Sequence, residues 1–325
     1  MQNQDTKVEA SKPQTTRERV GLVVSGLDAA AAVAAIVEAE AEGVRLIWMT
    51  QSTPLPDALG IFAAAGAKTS SVRMGTAVVP TFPRNPLALA QQVLTVSDLA
   101  PQRLRLGIGP SHRPIMEGVY GVPLTSPLEH LREYVSVLRA ILWEGEIDHH
   151  GRFFNIHTKL TRTPRTPILI SALRENAYRL AGEISDGAIS WVCPVPYLVE
   201  KALPAMREGA AQSGRPVPPL IAHIPVALSQ DRQAVLLAAR HRLSMYGKLP
   251  FYASMFANAG FPVSSDGTMS DELFDSLVIS GNEDTIRARI VDMLAQGLDE
   301  LLVMPVVVSD AVGEQARLAR LIGQL

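Results

Sequence analysis

Short apolar runs alternate with amphipathic segments along most of the chain. Each run is almost continuously apolar, which is typical of strands that are buried on both faces of a parallel sheet. The intervening segments repeat their apolar residues at the helical period of about 3.6 residues. Eight runs are present: VGLVV (20–24), RLIWM (45–49), VRMGTAVV (72–79), RLRLGI (103–108), PILIS (167–171), GAISW (187–191), LIAHIPVAL (220–228) and ELLVMPVVV (300–308).

Local signals mark where several helices begin and end. Asn85 and Pro86 have the residue types preferred at an N-cap and at the first helical position, ahead of a periodic apolar segment. Gly187 and Gly297 each follow a helical pattern and precede an apolar run, as helix-ending glycines do. A last amphipathic segment predicts a helix over about 311–323.

Eight strands with helices between them predict an α/β fold, specifically a (β/α)₈ TIM barrel, and a doubly wound open sheet is the alternative. Two connections are much longer than the others, namely 109–166 and 229–299. The first contains a helix and the hairpin EIDHHGRFFNI, and the second contains the irregular segment FANAGFPVSSDGTMSD. We therefore expect insertions after strands 4 and 7. Residues 1–18 are expected to form a flexible tail, and 19–325 a single domain.

Composition and charge exclude several classes of partner. Thirty basic residues oppose 32 acidic ones, for a net charge of −2, so we expect neither nucleic acid nor a membrane as partner. The chain has no apolar run of about 18 residues, and its N-terminus lacks the apolar core of a secretory signal. The single cysteine, Cys193, fits a reducing cytoplasm. The seven histidines include no i,i+4 pair, so no metal is expected.

The segment RLRLGIGPSHRP contains the fourth strand and continues into the region where TIM barrels hold their active sites. Gly109 allows close approach of the backbone to a ligand, while Ser111 supplies a hydroxyl group. His112 titrates near neutral pH and is the best proton donor or relay in the sequence. Cofactor binding without proton transfer, or a structural role in the loop, are the alternatives for this histidine. It also occupies the place of the third glycine in a dinucleotide-binding fingerprint, which argues against a Rossmann site.

Three further strand ends carry candidate residues. The fifth run leads directly into a helix start, where free backbone N–H groups and the helix dipole favour an anion. The residues at this position are Ser171, Ala172, Leu173 and Arg174. Polar residues that could face a substrate follow the first and second strands: Ser25, Gln51 and Ser52.

The long connection after the seventh strand contains a group of large apolar residues. They could form a lid over the site, or they could instead pack in the core or against a second subunit. The residues are Met245, Tyr246, Phe251, Tyr252 and Phe256.

The segment GTAVVPTFPRNPLALAQQVLTVSDLAPQRLRLGIGPSH resembles the third- and fourth-strand region of the luciferase-like monooxygenase superfamily, specifically its deazaflavin branch, which uses coenzyme F420. Further matches are VYGVPLTSPLEHLREYVSVLRAIL, the GRFF hairpin, PILISALRENAYRLAGEISDGAISW and GNEDTIRARIVDMLAQGLDELLVMPV. The similarity extends over residues 19–323. It implies a homodimeric oxidoreductase that transfers a hydride between F420 and a small organic substrate.

The resemblance also implies where the deazaflavin would bind. The third strand of family members carries a non-prolyl cis peptide behind the ring, and the matching bond here is Ala77–Val78. The loop after the fourth strand would flank the ring and ribityl chain, and the turn after the fifth strand would lie beside the phosphate. The implied cofactor-binding residues are Ala77, Val78, Val79, Gly109, Pro110, Ser111, His112, Ser171, Ala172, Leu173, Arg174 and Trp191.

This chain departs from the sugar-phosphate dehydrogenases of the superfamily at two positions. Where they place a histidine after the second strand, this chain has Gln51 and Ser52, and where they place a glutamate after the fourth-strand glycines it has His112. Sugar-phosphate oxidation is therefore not expected. Two other interpretations remain open: an FMN-dependent luciferase-like monooxygenase, and a barrel that binds a flavin or deazaflavin without catalysis.

Overall fold

The protein is described here by a computed structural model that covers residues 15–52 and 55–325. Residues 1–14 of the expected tail lie outside the described residues. The end of that segment differs from the prediction, because Thr16–Arg19 forms a short helix, α1. The Arg19 guanidinium donates hydrogen bonds to the carbonyl oxygens of Leu298 and Asp299 at 2.6 and 2.8 Å. These contacts hold α1 beside the start of the last barrel strand.

Eight parallel strands close into a barrel, which confirms the TIM-barrel prediction and excludes the open sheet. Each strand pairs with its neighbours in chain order, and the eighth pairs with the first, for example through Gly21 and Leu302. The strands are β1 (Val20–Val23), β2 (Leu46–Met49), β3 (Arg73–Thr76), β4 (Leu104–Gly109), β5 (Ile168–Ser171), β6 (Ala188–Ile189), β7 (Leu220–Ala227) and β8 (Glu300–Pro305).

Helices surround the barrel, and the predicted signals mark their ends. The Asn85 side chain accepts a hydrogen bond from the Leu87 N–H at 2.9 Å, so the fourth helix begins at Pro86 as predicted. The α-helices that follow α1 are α2 (Ala29–Ala41), α3 (Ala58–Gly66), α4 (Pro86–Leu99), α5 (Arg113–Gly118), α6 (Pro127–Arg139), α7 (Glu175–Ile184), α8 (Val195–Tyr197), α9 (Leu203–Gln212), α10 (Arg232–Leu243), α11 (Pro250–Asn258), α12 (Asp271–Leu277), α13 (Glu283–Ala295) and α14 (Ala311–Gly323).

The two long connections are the predicted insertions after β4 and β7. The first contains α5, α6 and an antiparallel hairpin of Glu146–His150 with Asn155–Lys159. The second contains α10, α11 and α12, then a short strand, Ile279–Ser280, that pairs with β7, and finally α13. This short strand was not predicted.

Two apolar runs form less strand than their composition predicts. The run over 72–79 is divided, because β3 ends at Thr76 and the chain resumes pairing with β4 only at Val79–Pro80. The run over 187–191 contributes only the two residues of β6, after which Val192 takes a left-handed conformation with φ +52°. In both places the backbone leaves the sheet at the mouth of the barrel.

A buried threonine at the end of β3 joins β3 to β4, directly before the break in the run. The Thr76 hydroxyl donates to the Gly107 carbonyl oxygen at 2.7 Å and accepts from the Gly107 N–H at 2.8 Å. Residue 107 must be glycine, since a Cβ there would lie 2.0 Å from the Thr76 carbonyl oxygen. The side chain therefore replaces ladder hydrogen bonds where β3 bends away.

The interior of the barrel holds a charged pair beside a large aromatic ring. The Arg105 guanidinium on β4 lies 2.5 Å from the Glu300 carboxylate on β8, and both side chains are largely buried. The guanidinium also lies 5.3 Å from the Trp48 ring centroid. Gly21 and Gly75 make room for this indole, because a Cβ at either position would approach it within 2.5 Å. The pair thus links strands on opposite sides of the barrel.

We predict that Glu300→Gln destabilises the fold by about 3–5 kcal/mol, because it leaves a buried cation without its counter-charge. Burial and then the nearby Arg105 already lower the pKa of Arg73, so a second guanidinium also depends on this carboxylate. Asp98→Asn, which breaks the exposed pair with Arg162, is the matched control and should cost no more than about 1 kcal/mol. Denaturant unfolding measures both. Equal losses in the two variants would contradict a central role for Glu300.

Candidate functional site

The carboxyl ends of the strands surround a cavity of about 820 Å³. This volume is in the upper part of the range of about 300–1,000 Å³ that is usual for small-molecule sites. The loops after β2, β3, β4 and β5 form one side, and the insertion after β7 covers the other. The Ser111–His112 turn and the Ser171–Ala172 turn, far apart in the chain, line the same space.

Most of the predicted site residues line this cavity, although their roles remain predictions. Three do not. Ser25 is exposed outside it, whereas Val79 and Gly109 are buried in the barrel wall. The predicted residues that line the cavity are Gln51, Ser52, Ala77, Val78, Pro110, Ser111, His112, Ser171, Ala172, Leu173, Arg174 and Trp191.

The wall formed by β3, β4 and β5 is apolar and tightly joined. The Ala77–Val78 peptide bond is cis, as the family resemblance implies. Gly109 lies directly against the end of β5, since a Cβ on it would be 2.1 Å from the Ser171 Oγ. Ala77 and Val78 face the cavity in front of this contact. The wall therefore presents the apolar side chains of Ala77 and Val78 to the cavity.

Gln51 makes a structural contact that was not predicted. Its Oε1 accepts a hydrogen bond from the Ala58 N–H at 2.8 Å, which satisfies one of the free backbone donors at the start of α3. The amide oxygen is thus engaged with the protein at the rim of the cavity. Ser52 lines the cavity beside it.

His112 is half-buried at the start of α5. Ser111 before it has φ +62°, and this sharp turn directs the chain across the cavity. The edges of Tyr246 and Tyr252 pack against the imidazole, with ring centroids 6.2 and 5.6 Å away. Burial lowers the pKa of His112 below its ordinary value, so the ring is neutral at pH 7 and can accept a proton.

A second histidine, which was not predicted, lies beneath the cavity. The His223 ring on β7 stacks on Trp191 with centroids 3.7 Å apart. The Val192 N–H donates to its Nδ1 at 3.1 Å, which leaves the proton on Nε2, 3.4 Å from the Met304 Sδ. Trp191 Nε1 in turn donates to the Tyr246 hydroxyl oxygen at 2.6 Å. His223 thus supports the cavity floor as a neutral ring.

Two cations line the cavity without an ion pair to any described residue. Arg174 stands at the start of α7 with its guanidinium 4.9 Å from the Phe251 ring centroid. Arg242 lies near the end of α10 with its Nη2 3.8 Å from the Met304 Sδ. The one acidic residue among the described lining residues, Glu129, is paired with an arginine of the hairpin. The cavity is therefore electropositive at two separate places.

Arg242 and Met304 line the cavity although the sequence-based expectations did not include them. Met304 is at the end of β8, so inspection of every strand end would have found it. Arg242 is within a helix of the second insertion, where no local pattern indicates that it reaches the barrel. Of the proposed lid residues, Phe256 is fully buried and does not line the cavity. The others do: Met245, Tyr246, Phe251 and Tyr252.

Other kinds of site are not visible in the described part of the chain. Its histidine, cysteine, aspartate and glutamate side chains nowhere gather in threes as a metal ion would need. None of its helices combines the length and the apolar character needed to cross a membrane.

The protein is thus a TIM barrel, and its large cavity lies at the carboxyl ends of the strands, where TIM barrels bind their ligands. The luciferase-like monooxygenase family matches residues 13–300, and the chain belongs to this family.

Curated relatives extend the comparison. The chain is 28% identical over 272 residues to the F420-dependent glucose-6-phosphate dehydrogenase of Nocardia farcinica, covering 78% of this chain and 79% of that protein. It is 31% identical over 241 residues to the enzyme of the same name from Intrasporangium calvum, covering 71% of both.

The fold resembles an F420-dependent secondary alcohol dehydrogenase in complex with an F420-acetone adduct, with a TM-score of 0.77. The superposition covers 93% of this chain and 97% of that one, at 17% identity. At this identity the likeness establishes the fold alone.

We predict that two buried histidines reduce stability in mild acid. Burial lowers the pKa of His223 to about 3 and that of His130, which stacks on Phe82, to about 4. Below pH about 6.5 these two histidines bind protons in the unfolded chain but stay neutral in the folded chain. The free energy of unfolding therefore falls as the pH is lowered. Above that pH both states are neutral and the effect vanishes. Each histidine contributes up to about 1.4 kcal/mol per pH unit.

Denaturant unfolding between pH 7.5 and 5 measures this effect. His223→Asn keeps an acceptor for the Val192 N–H but does not titrate, so it should flatten the pH dependence. His150→Asn removes an exposed imidazole and should leave the pH dependence unchanged. An identical acid response in wild type and His223→Asn would refute the assignment.

Proposed function

We propose that the protein is an F420-dependent oxidoreductase that transfers a hydride between the deazaflavin and a small organic substrate. The observation that carries this proposal is the convergence of the cis Ala77–Val78 wall, the Ser111–His112 turn and the Ser171–Arg174 turn on one cavity. The chain belongs to a family of luciferase-like barrels, and its curated relatives named above are F420-dependent dehydrogenases.

The residues present fit such a cofactor. The apolar surface of Ala77 and Val78 suits one face of a planar ring, and Trp191 lines the same cavity. At the start of α7, free N–H groups and the unpaired Arg174 would hold the phosphate. Ser111 and Pro110 would flank the chain between ring and phosphate. The cavity volume of about 820 Å³ lies within the range of about 300–1,000 Å³ that is usual for small-molecule sites.

His112 is proposed as the residue that handles the proton. When bound, F420 supplies the redox chemistry, because its oxidised ring accepts a hydride from a substrate carbon and its reduced ring returns one. The protein must orient the substrate and move the proton of its oxygen. A neutral imidazole can take that proton from a hydroxyl group, and in the reverse direction the imidazolium returns it. The lowered pKa of His112 favours the first of these roles, the oxidation of an alcohol to a carbonyl compound.

Glucose 6-phosphate is the substrate named for the two relatives. The family resemblance implies a glutamate after the fourth-strand glycines and a histidine after the second strand in such enzymes, where this chain has His112 and Gln51, and Gln51 caps α3. We therefore propose a different alcohol as substrate, with His112 as base.

The cofactor assignment predicts a clear binding preference. Intrinsic tryptophan fluorescence should respond to F420, because Trp191 lines the cavity, and FMN should bind at least about tenfold more weakly. Titrating the two cofactors separately into the purified protein measures both affinities. Arg174→Gln should weaken F420 binding and reduce its sensitivity to salt. Tight FMN binding without an F420 response would instead support the flavin monooxygenase.

The proton role predicts a specific kinetic loss. His112→Gln should lower the rate of alcohol oxidation by about 10²–10⁴-fold while F420 affinity changes little. In wild type the oxidation rate should rise with pH through the lowered pKa of His112 and then level off, and the variant should lack this step. Steady-state rates with F420 and a panel of secondary alcohols and hydroxy acids test this.

His157→Gln, which removes an exposed imidazole on the hairpin, serves as the matched control. If turnover and affinity both survived in His112→Gln, neither functional role of His112 would stand. F420 binding without turnover on any substrate would favour a non-catalytic binding barrel.

We also propose a homodimer and a cytoplasmic location. The dimer rests on the family resemblance, and the location rests on the single cysteine, Cys193, which is free and buried. Light scattering coupled to gel filtration would separate monomer from dimer. A monomer at micromolar concentration would contradict the first of these proposals.

A further inference from the structure

One wall of the cavity faces the proposed cofactor surface from across the barrel. In a closed ring of eight strands the seventh lies opposite the third. The insertion that follows β7 carries Arg242 and Tyr246, and both residues line the cavity. Arg242 reaches the Met304 sulfur at the end of β8, and Tyr246 contacts Trp191 after β6. These groups therefore lie where a substrate would sit when the ring occupies the β3 side.

Three polar side chains on this wall have donor groups available to a ligand. The Arg242 guanidinium makes no ion pair with a described residue, and its one hydrogen bond among them is to the weakly accepting Met304 sulfur. The Tyr246 oxygen accepts from the Trp191 N–H, so its own proton is free to donate. Tyr252 is only 3% exposed, lines the cavity and makes no hydrogen bond with the described part of the chain. All three groups line the cavity, so a ligand bound there would meet one cation and two hydroxyl donors.

The wall carries one positive charge, and apolar side chains lie beside it. Leu243, Met245 and Met304 lie beside Arg242 in the cavity lining. The carboxylate in the lining, Glu129, belongs to the first insertion and already has a partner. The other unpaired cation, Arg174, comes from the end of β5. A single guanidinium with phenol donors matches the charge and the two oxygens of one carboxylate better than a phosphate dianion.

We propose that Arg242, assisted by the hydroxyl groups of Tyr246 and Tyr252, binds a carboxylate group of the substrate, so that the substrate is a small apolar hydroxy or oxo monocarboxylic acid. The inference rests on the proposed function, since that places the cofactor on the opposite wall. The hydroxyl or carbonyl group would then lie between this anchor and the cofactor surface, within reach of His112, whose ring packs against both tyrosines.

Matched ligand pairs test the charge preference directly. Hexanoate and hexanamide have the same shape and differ in charge, and hexylphosphonate adds a second negative charge. Each is titrated into the full-length protein with and without F420, with tryptophan fluorescence and calorimetry as readouts. Wild type should bind hexanoate at least about tenfold more tightly than hexanamide, and more tightly than hexylphosphonate.

Variants locate the preference at the proposed residue. Arg242→Gln should reduce the ratio of hexanoate to hexanamide affinity to below about threefold, and Arg242→Lys should restore part of it. Tyr246→Phe should lower hexanoate affinity by several-fold. Arg240→Gln is the matched control, because it removes a cation of the same helix that pairs with Asp271 outside the cavity. Unchanged hexanamide binding shows that each variant is folded.

The outcomes separate this inference from the proposed function. If F420 binds but wild type does not distinguish hexanoate from hexanamide, the carboxylate site is wrong while the oxidoreductase stands. If the preference is present and lost in Arg242→Gln but F420 does not bind, the site stands and the proposed function fails. Tighter binding of hexylphosphonate would overturn the choice of a carboxylate. A large loss of F420 affinity in Arg242→Gln would instead assign this cation to the cofactor.

Discussion

Closure of the barrel is the constraint on which the rest of the molecule depends. The parallel pairing of β8 with β1 brings the ends of eight separate segments to one rim. His112 and Arg174 come from separate loops, and they line one cavity because β4 and β5 are paired neighbours. Closure of the sheet then brings the insertion after β7 to the opposite side of the same cavity. An open sheet would spread these loops along an edge. The site is therefore a consequence of topology before it is a consequence of any side chain.

Charged side chains are paired inside the barrel but not at its mouth. Inside, Arg105 and Glu300 neutralise each other across the axis and lie beside the Trp48 ring. At the mouth, Arg174 and Arg242 have no anionic partner among the described residues. Both arginines are exposed there, so they avoid the cost of burying an unpaired charge and remain available to an anionic ligand. Arginine thus stabilises the barrel from inside and is available for ligand binding at the mouth.

The barrel could be predicted from the sequence because eight buried strands are almost continuously apolar, and the strand-end rule then located His112 and Arg174. The division of the third run could not be predicted from local chemistry, since Ala77 and Val78 are ordinary strand residues. The role of His223 could not be predicted, because this residue lies within an apolar run and its role depends on the Trp191 ring that the fold stacks on it. Arg242 reaches the cavity through the path of a long insertion, which no short-range pattern specifies.

The two halves of the cavity have different structural origins, and this division bears on specificity. The β3–β5 wall is joined by backbone contacts such as the approach of Gly109 to Ser171, so substitutions there disturb the barrel itself. The facing wall belongs to the insertion after β7, whose tyrosines touch the barrel mainly through Trp191 and His112. At the β2 end, Gln51 is engaged in capping α3. A change of substrate within this architecture can therefore use new residues on the insertion, while the surface proposed for the cofactor stays unchanged.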